Sequence, residues 1–200
     1  MTFWDRIAGF YDIAEKLNGK VYRKLVSTTE KLVPQGAVVL DVAAGTGELS
    51  FAAAKNAERV TCTDLSMNML KVAQKKAVKH KVTNVNFDVR NIFELKDADE
   101  TYDVVMAGNV LHLLDEPEKA VAELWHVTKK GGKLLLPTFM IEKKSSLIEI
   151  YKKIGFKPAA NYNPELYCKM LAESVSGKVK VKNIKGMIPC CYAVIEKPLT

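Results

Sequence analysis

An apolar run that ends on a carboxylate and then breaks on two glycines constrains the fold of this chain more than any other stretch. Residues 38–42 are valine and leucine apart from Asp41, Gly45 and Gly47 follow, and a helical composition begins at Glu48. A continuous apolar run bounded by turn residues is typical of a strand buried on both faces, as in parallel sheets. Glycine permits backbone conformations closed to other residues and lets a ligand approach closely. The stretch predicts a strand, a ligand-binding turn and a helix whose first amides face the ligand.

The residues around the two glycines separate two classes of nucleotide ligand. A dinucleotide-binding turn has the pattern G-x-G-x-x-G, in which the helix start holds a pyrophosphate. Here Ser50 stands in the place of the third glycine, and Asp41 adds negative charge at the strand end. A carboxylate at this point suits a ligand that carries positive charge. S-adenosylmethionine (SAM) carries an ammonium and a sulfonium and has no phosphate.

Residues 41–47 read D-V-A-A-G-T-G, and they fit the pattern D-x-A-x-G-x-G without a gap. The stretch resembles motif I of the class I SAM-dependent methyltransferases. The resemblance implies a doubly wound, Rossmann-like α/β fold with a mostly parallel sheet, an antiparallel C-terminal hairpin and a small helical cap. It also implies SAM as the cofactor and S-adenosylhomocysteine as the product. By the same resemblance, the methionine end of SAM is expected to lie on the motif I residues Asp41, Ala43, Ala44, Gly45 and Gly47.

A second short strand, residues 59–63, ends in Asp64. An acidic side chain at this position can accept hydrogen bonds from both ribose hydroxyls, which supports an adenosine ligand without choosing between SAM and NAD. Ser66 is the better candidate for the N-cap of the helix that follows. The family resemblance continues through this segment and implies that Leu65 and Met69 pack near the adenosine. Met69 fits the apolar core of the helix equally well.

The segment after a third predicted strand, residues 84–89, departs from the family pattern. Relatives usually carry Gly-Asp-Ala here, and their aspartate binds the adenine amino group while the next backbone amide binds the ring. In this chain the position aligns with Asn91, followed by Ile92. An asparagine oxygen can still accept a hydrogen bond from the amino group. Asp88 is the alternative if the strand ends earlier.

A fourth buried strand begins at Tyr102, and its loop matches the family's fourth-strand motif. The resemblance implies that Gly108 and Asn109 reach the methionine end of SAM. His112 follows, and a histidine beside the cofactor could take a proton from a substrate hydroxyl or thiol. A purely structural role for His112 is the alternative. The Asp/Asn-Pro-Pro-Tyr/Phe segment of DNA amino-methyltransferases is absent from this loop, and Pro189-Cys190 lies too far downstream for the Pro-Cys nucleophile of cytosine-C5 enzymes.

The remaining segments complete a single predicted domain, residues 1–200. Residues 1–33 are helical in pattern. Within them, Trp4-Asp5-Arg6-Ile7-Ala8 followed by Tyr11-Asp12 resembles the entry helix of the ubiquinone/menaquinone C-methylating enzymes, which implies that Tyr11 lies near the cofactor. A helix from residue 117 to Lys130 is expected to stop at Gly131-Gly132, before a fifth strand over residues 133–139. Residues 140–162 are expected to join the cap. A helix over residues 165–174 and a hairpin of strands 178–184 and 188–195 end the chain.

Charge leaves a second class of function open. The 30 Lys and Arg residues exceed the 23 Asp and Glu residues and give a net charge of +7. The lysines are spread along the chain and come with few arginines, whereas RNA readers usually add arginine and stacking aromatics. A small-molecule acceptor is therefore the main prediction and an RNA base methyltransferase the first alternative. A SAM-binding protein without transferase activity and an NAD(P) oxidoreductase are the others.

The cysteines and the apolar runs bound the remaining possibilities. Cys62, Cys168, Cys190 and Cys191 show no C-x-x-C spacing, so free thiols are expected and no metal site. Cys190 and Cys191 are adjacent on a predicted strand, so at most one of them can face the cleft. No apolar run approaches the roughly 20 residues that span a bilayer, and the first residues lack the features of a signal peptide. A cytoplasmic protein is the expectation, and the sequence does not reveal the oligomeric state.

Overall fold

The structure is a computed structural model, and it describes residues 18–140, 159–160 and 162–200. These residues form one seven-stranded sheet with helices on both faces. The strands are β1 (Val38–Val42), β2 (Arg59–Asp64), β3 (Val85–Val89), β4 (Tyr102–Met106), β5 (Thr128–Phe139), β6 (Lys178–Ile184) and β7 (Cys190–Glu196). The described helices are α1 (Gly19–Leu32), α2 (Glu48–Ala54), α3 (Met67–His80), α4 (Pro117–Val127) and α5 (Pro164–Ser174), with one 3₁₀ turn at Leu111–Leu113.

The strand order β3-β2-β1-β4-β5-β7-β6 confirms the doubly wound fold that the sequence predicted. Strands β1 to β5 pair in parallel, and β7 pairs antiparallel with both β5 and β6. The chain winds outward from β1 to β3 and then returns to the other side of β1 as β4. In such sheets a ligand binds in the crevice at the carboxyl ends of the strands where the direction of winding reverses. The β1/β4 boundary is that point here.

Alternating residues of the strands send side chains into two separate hydrophobic clusters. Leu40 of β1 packs in the cluster under α4 and α5, and its neighbour Val39 packs in the cluster under α1, α2 and α3. Cys190 and Cys191 follow the same rule and lie buried in opposite clusters. All four cysteines are free thiols, as expected. Packing, and not exposure to the cleft, therefore accounts for the Cys190-Cys191 pair.

The predicted end of α4 and start of β5 are wrong. The helix ends at Val127, and β5 begins at Thr128, whose side-chain hydroxyl donates to the carbonyl of Leu124 (2.8 Å). Gly131 and Gly132 do not stop a helix but form an irregular part of the strand that exchanges backbone hydrogen bonds with Lys197. A Cβ on Gly132 would lie 2.8 Å from the Lys129 carbonyl oxygen. Gly132 is needed because neighbouring backbone approaches it, and Gly131 because its φ is +73°, and no local pattern reveals either requirement.

Other local predictions are confirmed. Ser66 is the N-cap of α3 and accepts a hydrogen bond from the Met69 amide, and Asn163 caps α5 in the same way. The second half of the predicted N-terminal helical segment is α1. Its first half, with Tyr11, lies outside the described residues, as do residues 141–158 and 161 of the predicted cap insertion. Among the helices that the structure describes, none combines the length and apolar character needed to cross a membrane.

Candidate functional site

The turn after β1 adopts a left-handed backbone at three positions. The φ angles are +53° at Ala43, +57° at Gly45 and +86° at Gly47. A Cβ on Gly47 would lie 3.0 Å from the ring of Phe51 and 3.2 Å from the Cβ of Ala73. Glycine at 47 is therefore required both by its conformation and by the side chains packed against it. The Gly47 amide donates to the Ala44 carbonyl (3.0 Å), which closes a tight turn directly before α2.

The end of β2 holds this turn in place. Asp64 accepts hydrogen bonds from the Gly45 amide (2.8 Å) and from the Ser66 amide (2.8 Å). The backbone amide of Ala44 donates to the Thr63 carbonyl (2.8 Å). Asp64 thus links the glycine turn to the start of α3, a contribution to the scaffold that the sequence did not predict. A carboxylate oxygen can accept more than one hydrogen bond, so these contacts are compatible with ribose hydroxyls at the same side chain.

Asp41 is a buried carboxyl group at the end of β1. Its side chain is only 1% exposed, and its Oδ2 accepts a 2.6 Å hydrogen bond from the Ser50 hydroxyl. Its Oδ1 is buried and has no hydrogen-bond donor among the described residues. Burial, reinforced by the nearby negative charge of Asp64, raises the pKa of Asp41 to about 7. A buried acceptor with no donor costs free energy, and the ammonium of SAM is a donor of the kind this oxygen needs.

A cavity of about 350 Å³ opens at the carboxyl edge of β1, β2 and β4. Nine of the predicted cofactor residues line it: Ala43, Gly45, Asp64, Leu65, Met69, Asn91, Ile92, Gly108 and Asn109. Five further lining residues were not predicted: Arg90, Phe93, Val110, Leu113 and Leu114. Most of these added side chains are apolar, which suits the faces of an adenine ring. The structure therefore brings together residues from four separate segments of the sequence.

A smaller cavity of about 40 Å³ lies beside the first, on the other side of the glycine turn. Residues Ala43, Gly45, Gly108 and Asn109 line both cavities, and Asp41, Ala44, Tyr22, Glu48 and Leu49 line only the smaller one. The side-chain Oδ1 of Asn109 is also buried without a hydrogen-bond partner among the described residues. Asp41 and Asn109, two residues of this cavity's lining, therefore each have a buried acceptor oxygen without a partner among the described residues. They are suited to the ammonium at the methionine end of SAM.

The adenine end shows how Asn91 is used. Its side-chain oxygen accepts a 3.1 Å hydrogen bond from the Phe93 amide and stabilises the turn after β3. Ile92 is buried beside it. Asp88, the alternative considered from the sequence, forms an ion pair with Arg90 (2.9 Å) and lines a neighbouring cavity instead. Asn91, and not Asp88, is the residue that the fold brings to the larger cavity.

His112 lies beneath this region without lining either cavity. It is 1% exposed, and its ring meets Phe139 edge-on at a centroid distance of 6.2 Å. Its backbone carbonyl accepts hydrogen bonds from the amides of Ala159 and Ala160. Burial lowers the pKa of His112 to about 4, so the imidazole is neutral near pH 7. A neutral imidazole can accept a proton, but the His112 side chain is buried and does not line either cavity.

Tyr22 is a site residue that the sequence did not single out. It lies on α1, lines the smaller cavity and stacks edge-on with Phe139 at 6.0 Å. The aromatic and apolar pattern of α1 was recognised, but it did not distinguish Tyr22 from the buried residues Val21 and Leu25. The position of Tyr22 depends on α1 packing beside α2 across the sheet edge, which periodicity alone does not specify.

Comparisons with known proteins identify sequence relatives and solved structures of the same fold. The family model described as "Methyltransferase domain" matches residues 40–136. The chain is 32% identical over 184 residues to the demethylmenaquinone methyltransferase of Renibacterium salmoninarum, covering 87% of this chain and 75% of that protein. It is 28% identical over 194 residues to a ubiquinone/menaquinone biosynthesis C-methyltransferase of Zymomonas mobilis, covering 92% and 79%. The crystal structure of a SAM-dependent methyltransferase from Aquifex aeolicus superposes with a TM-score of 0.72 at 20% identity, covering 96% of this chain and 98% of that one.

Proposed function

Because this chain belongs to the class I SAM-dependent methyltransferases, we propose that it transfers the methyl group of SAM to a small, uncharged aromatic acceptor of the quinol type. SAM-dependent methyl transfer follows from the family, and the acceptor class is the proposal. The observation that supports SAM as the cofactor is a glycine turn lacking the third glycine of a pyrophosphate-binding turn, next to the buried Oδ1 of Asp41, which has no donor among the described residues. This oxygen suits an ammonium, which a dinucleotide does not present.

The residues present fit SAM along the whole length of the two cavities. We assign the ammonium to Asp41, with Asn109 as a second acceptor, and the ribose hydroxyls to Asp64. The backbone of Ala43, Ala44, Gly45 and Gly108 would face the methionine chain. Leu65, Met69 and Ile92 would enclose the adenosine, with Asn91 at the adenine edge. Gly47 contributes by shaping the turn and not by contact.

Bound SAM supplies a methyl group on a sulfonium, which is already a good leaving group. The chain therefore mainly has to align the acceptor with that methyl group and to exclude water. Tyr22 lines the smaller cavity, and its ring contacts Phe139, which in turn contacts the buried His112, at centroid distances of 6.0 and 6.2 Å. An aromatic side chain that lines a cavity, as Tyr22 does, stacks favourably on a flat aromatic acceptor. The names of the Renibacterium and Zymomonas relatives point to the same acceptor class.

His112 is the candidate base when the acceptor must lose a proton from a hydroxyl. Its lowered pKa, caused by burial, keeps the imidazole neutral and able to accept that proton. We expect His112→Ala to slow turnover of a hydroxyl acceptor by about 10²-fold while the dissociation constant of SAM stays unchanged. Equal turnover of the variant and the parent protein would assign His112 to the core of the fold.

An acceptor screen that measures release of S-adenosylhomocysteine tests the proposed function. The panel covers quinols, phenols, thiols and amines at equal concentration, each with and without enzyme. Turnover is expected with quinols and to a lesser extent with phenols. Turnover confined to thiols or amines would contradict the aromatic acceptor. Tight binding of SAM with no turnover across the panel would favour a SAM-binding protein without transferase activity.

A further inference from the structure

One lysine of α3 reaches back to the glycine turn. The Lys76 Nζ lies 2.6 Å from a Glu48 carboxylate oxygen and donates a 3.0 Å hydrogen bond to the Thr46 hydroxyl. The Lys76 side chain is only 17% exposed, in contrast to the Lys55–Glu30 pair on α2 and α1, where both side chains are more than one-third exposed. The fold therefore holds the Lys76 side chain in one position, and its ammonium charge is paired with the Glu48 carboxylate.

The same face of α3 also contacts the turn through Ala73. A Cβ on Gly47 would lie 3.2 Å from the Ala73 Cβ, so the methyl group of Ala73 packs against the bare backbone of Gly47. Ala73 and Lys76 are three residues apart and therefore lie on one face of the helix. Between them they contact three successive residues of the turn: Thr46, Gly47 and Glu48. Helix α3 thus stabilises the turn through Ala73 and Lys76, and Met69 in its first turn lines the larger cavity.

The ion pair also sets the charge of the smaller cavity. Glu48 and Asp41 are both lining residues of that cavity, so two acidic residues lie close to a small space. An amino-acid group carries an ammonium and a carboxylate, and a second unneutralised acid would repel its carboxylate. Lys76 cancels the charge of Glu48 and leaves that of Asp41 for the ammonium. The charge balance then suits a zwitterion and not a simple cation.

We propose that Lys76 is a positioning residue of the cofactor site: held by the Thr46 hydroxyl, it cancels the charge of Glu48 and so lets the smaller cavity accept the zwitterionic amino-acid group of SAM. This inference rests on the proposed function, because it assumes that SAM occupies the site. Lys76 acts through Glu48 and the turn and does not itself line either cavity.

Calorimetry with two ligands tests the proposal. SAM carries the amino-acid group, and 5′-methylthioadenosine has the same adenosine part without it. Lys76→Met keeps the apolar stem and removes the charge, so we expect the dissociation constant of SAM to rise about tenfold and that of 5′-methylthioadenosine to stay unchanged. Unchanged SAM binding, or an equal loss for both ligands, would overturn the proposal.

Two further variants separate charge from general damage to the fold. Adding Glu48→Gln to Lys76→Met removes the unpaired acid and is expected to recover most of the SAM affinity. Lys55→Met, which breaks the exposed pair with Glu30, is the matched control and is expected to bind both ligands as the parent does. If Lys76→Met unfolds, Glu48→Gln alone still decides: a fall in SAM affinity relative to 5′-methylthioadenosine contradicts the proposal.

The parent protein keeps this test distinct from that of the proposed function. Failure of the parent to bind SAM would remove the proposed function, whatever the variants do. Binding of SAM by the parent, together with equal affinities in Lys76→Met, would remove only the role of Lys76.

Discussion

Two aspartates at the same edge of the sheet show how environment divides their roles. Asp64 accepts two backbone amides and ties the glycine turn to the next helix. Asp41 is buried, accepts one hydroxyl and leaves one oxygen without a donor among the described residues. Burying a carboxylate favours its protonated form. Asp41 is therefore a group that gains a partner and loses a proton when a cation enters the smaller cavity.

The raised pKa of Asp41 predicts that SAM affinity depends on pH. The pKa of Asp41 is about 7 in the ligand-free protein, so at lower pH its carboxyl group is protonated. It must release this proton before the resulting carboxylate can hold an ammonium. We expect the dissociation constant of SAM to rise about tenfold for each pH unit below 7 and to level off above it. Calorimetry from pH 5.5 to 8.5 measures this. A flat profile would show that Asp41 is not the partner of the ammonium.

The same raised pKa means that ionised Asp41 lowers the stability of the ligand-free protein. The pKa rises from 3.8 to about 7 on folding, so between these values the native state holds more protons than the unfolded state. The contribution of Asp41 to stability is therefore fully present below about pH 4 and is lost as the pH rises to about 7. Asp41→Asn lacks this loss, so at pH 8 its ligand-free unfolding midpoint is expected to exceed that of the parent by at least ~2 °C, although it should bind SAM poorly. A lower midpoint for the variant would contradict this account.

At the scale of elements, the strand–turn–helix unit of β1 and α2 depends on one glycine that no other residue can replace cheaply. Gly47 has φ +86°, and its missing Cβ leaves room for Phe51 and Ala73. Gly36 is a matched control, since it has φ +73° and nothing within 4 Å of its missing Cβ. Any alanine at such an angle is strained by about 1 kcal/mol. Only at Gly47 is a steric contact added.

We therefore expect Gly47→Ala to lower the free energy of unfolding by about 2–4 kcal/mol and Gly36→Ala by only about 1 kcal/mol. Urea denaturation of the two variants measures the difference. Gly47→Ala should also weaken SAM binding, because Gly47 packs against Ala73 of α3, the helix that also carries Lys76. Equal losses of stability at the two positions would show that Phe51 and Ala73 yield to the added methyl group.

Motifs whose meaning is local were predictable from the sequence, and contacts between distant segments were not. The residues of the turn after β1, with Asp64, Leu65 and Met69, follow strand ends, and parallel strands bring their carboxyl ends to one edge. Ser66 was a predictable cap because capping needs only the next three residues. The prediction that Gly131-Gly132 ends a helix was wrong. Glycine is required at 132 because the backbone oxygens of residues 129 and 103 lie beside it. Tyr22 and Lys76 reach the site by helix packing, which leaves no mark in a local pattern.

At the scale of the whole molecule, the sheet converts a chain of separate motifs into one ligand site. Strand β1 lies between β2 and β4, so the turns that follow these strands converge on one crevice. The two cavities there share the glycine turn and the loop after β4. A ligand that fills both would join segments from residue 22 to residue 114, on both sides of the point where the winding reverses. Binding should therefore stabilise the fold as a whole.

The last prediction concerns which nucleotide does so. A ligand that binds only the folded state at 100 times its dissociation constant adds about 2.7 kcal/mol, and for a chain of 200 residues this corresponds to a rise of about 5–10 °C in the unfolding midpoint. We expect that rise with SAM and with S-adenosylhomocysteine, because Asp41 gains an ammonium partner in each case. NAD and NADP should leave the midpoint unchanged, because Ser50 replaces the third glycine of a pyrophosphate-binding turn and Asp41 repels a phosphate. A midpoint raised by NAD and not by SAM, measured by differential scanning fluorimetry, would assign the crevice to a dinucleotide.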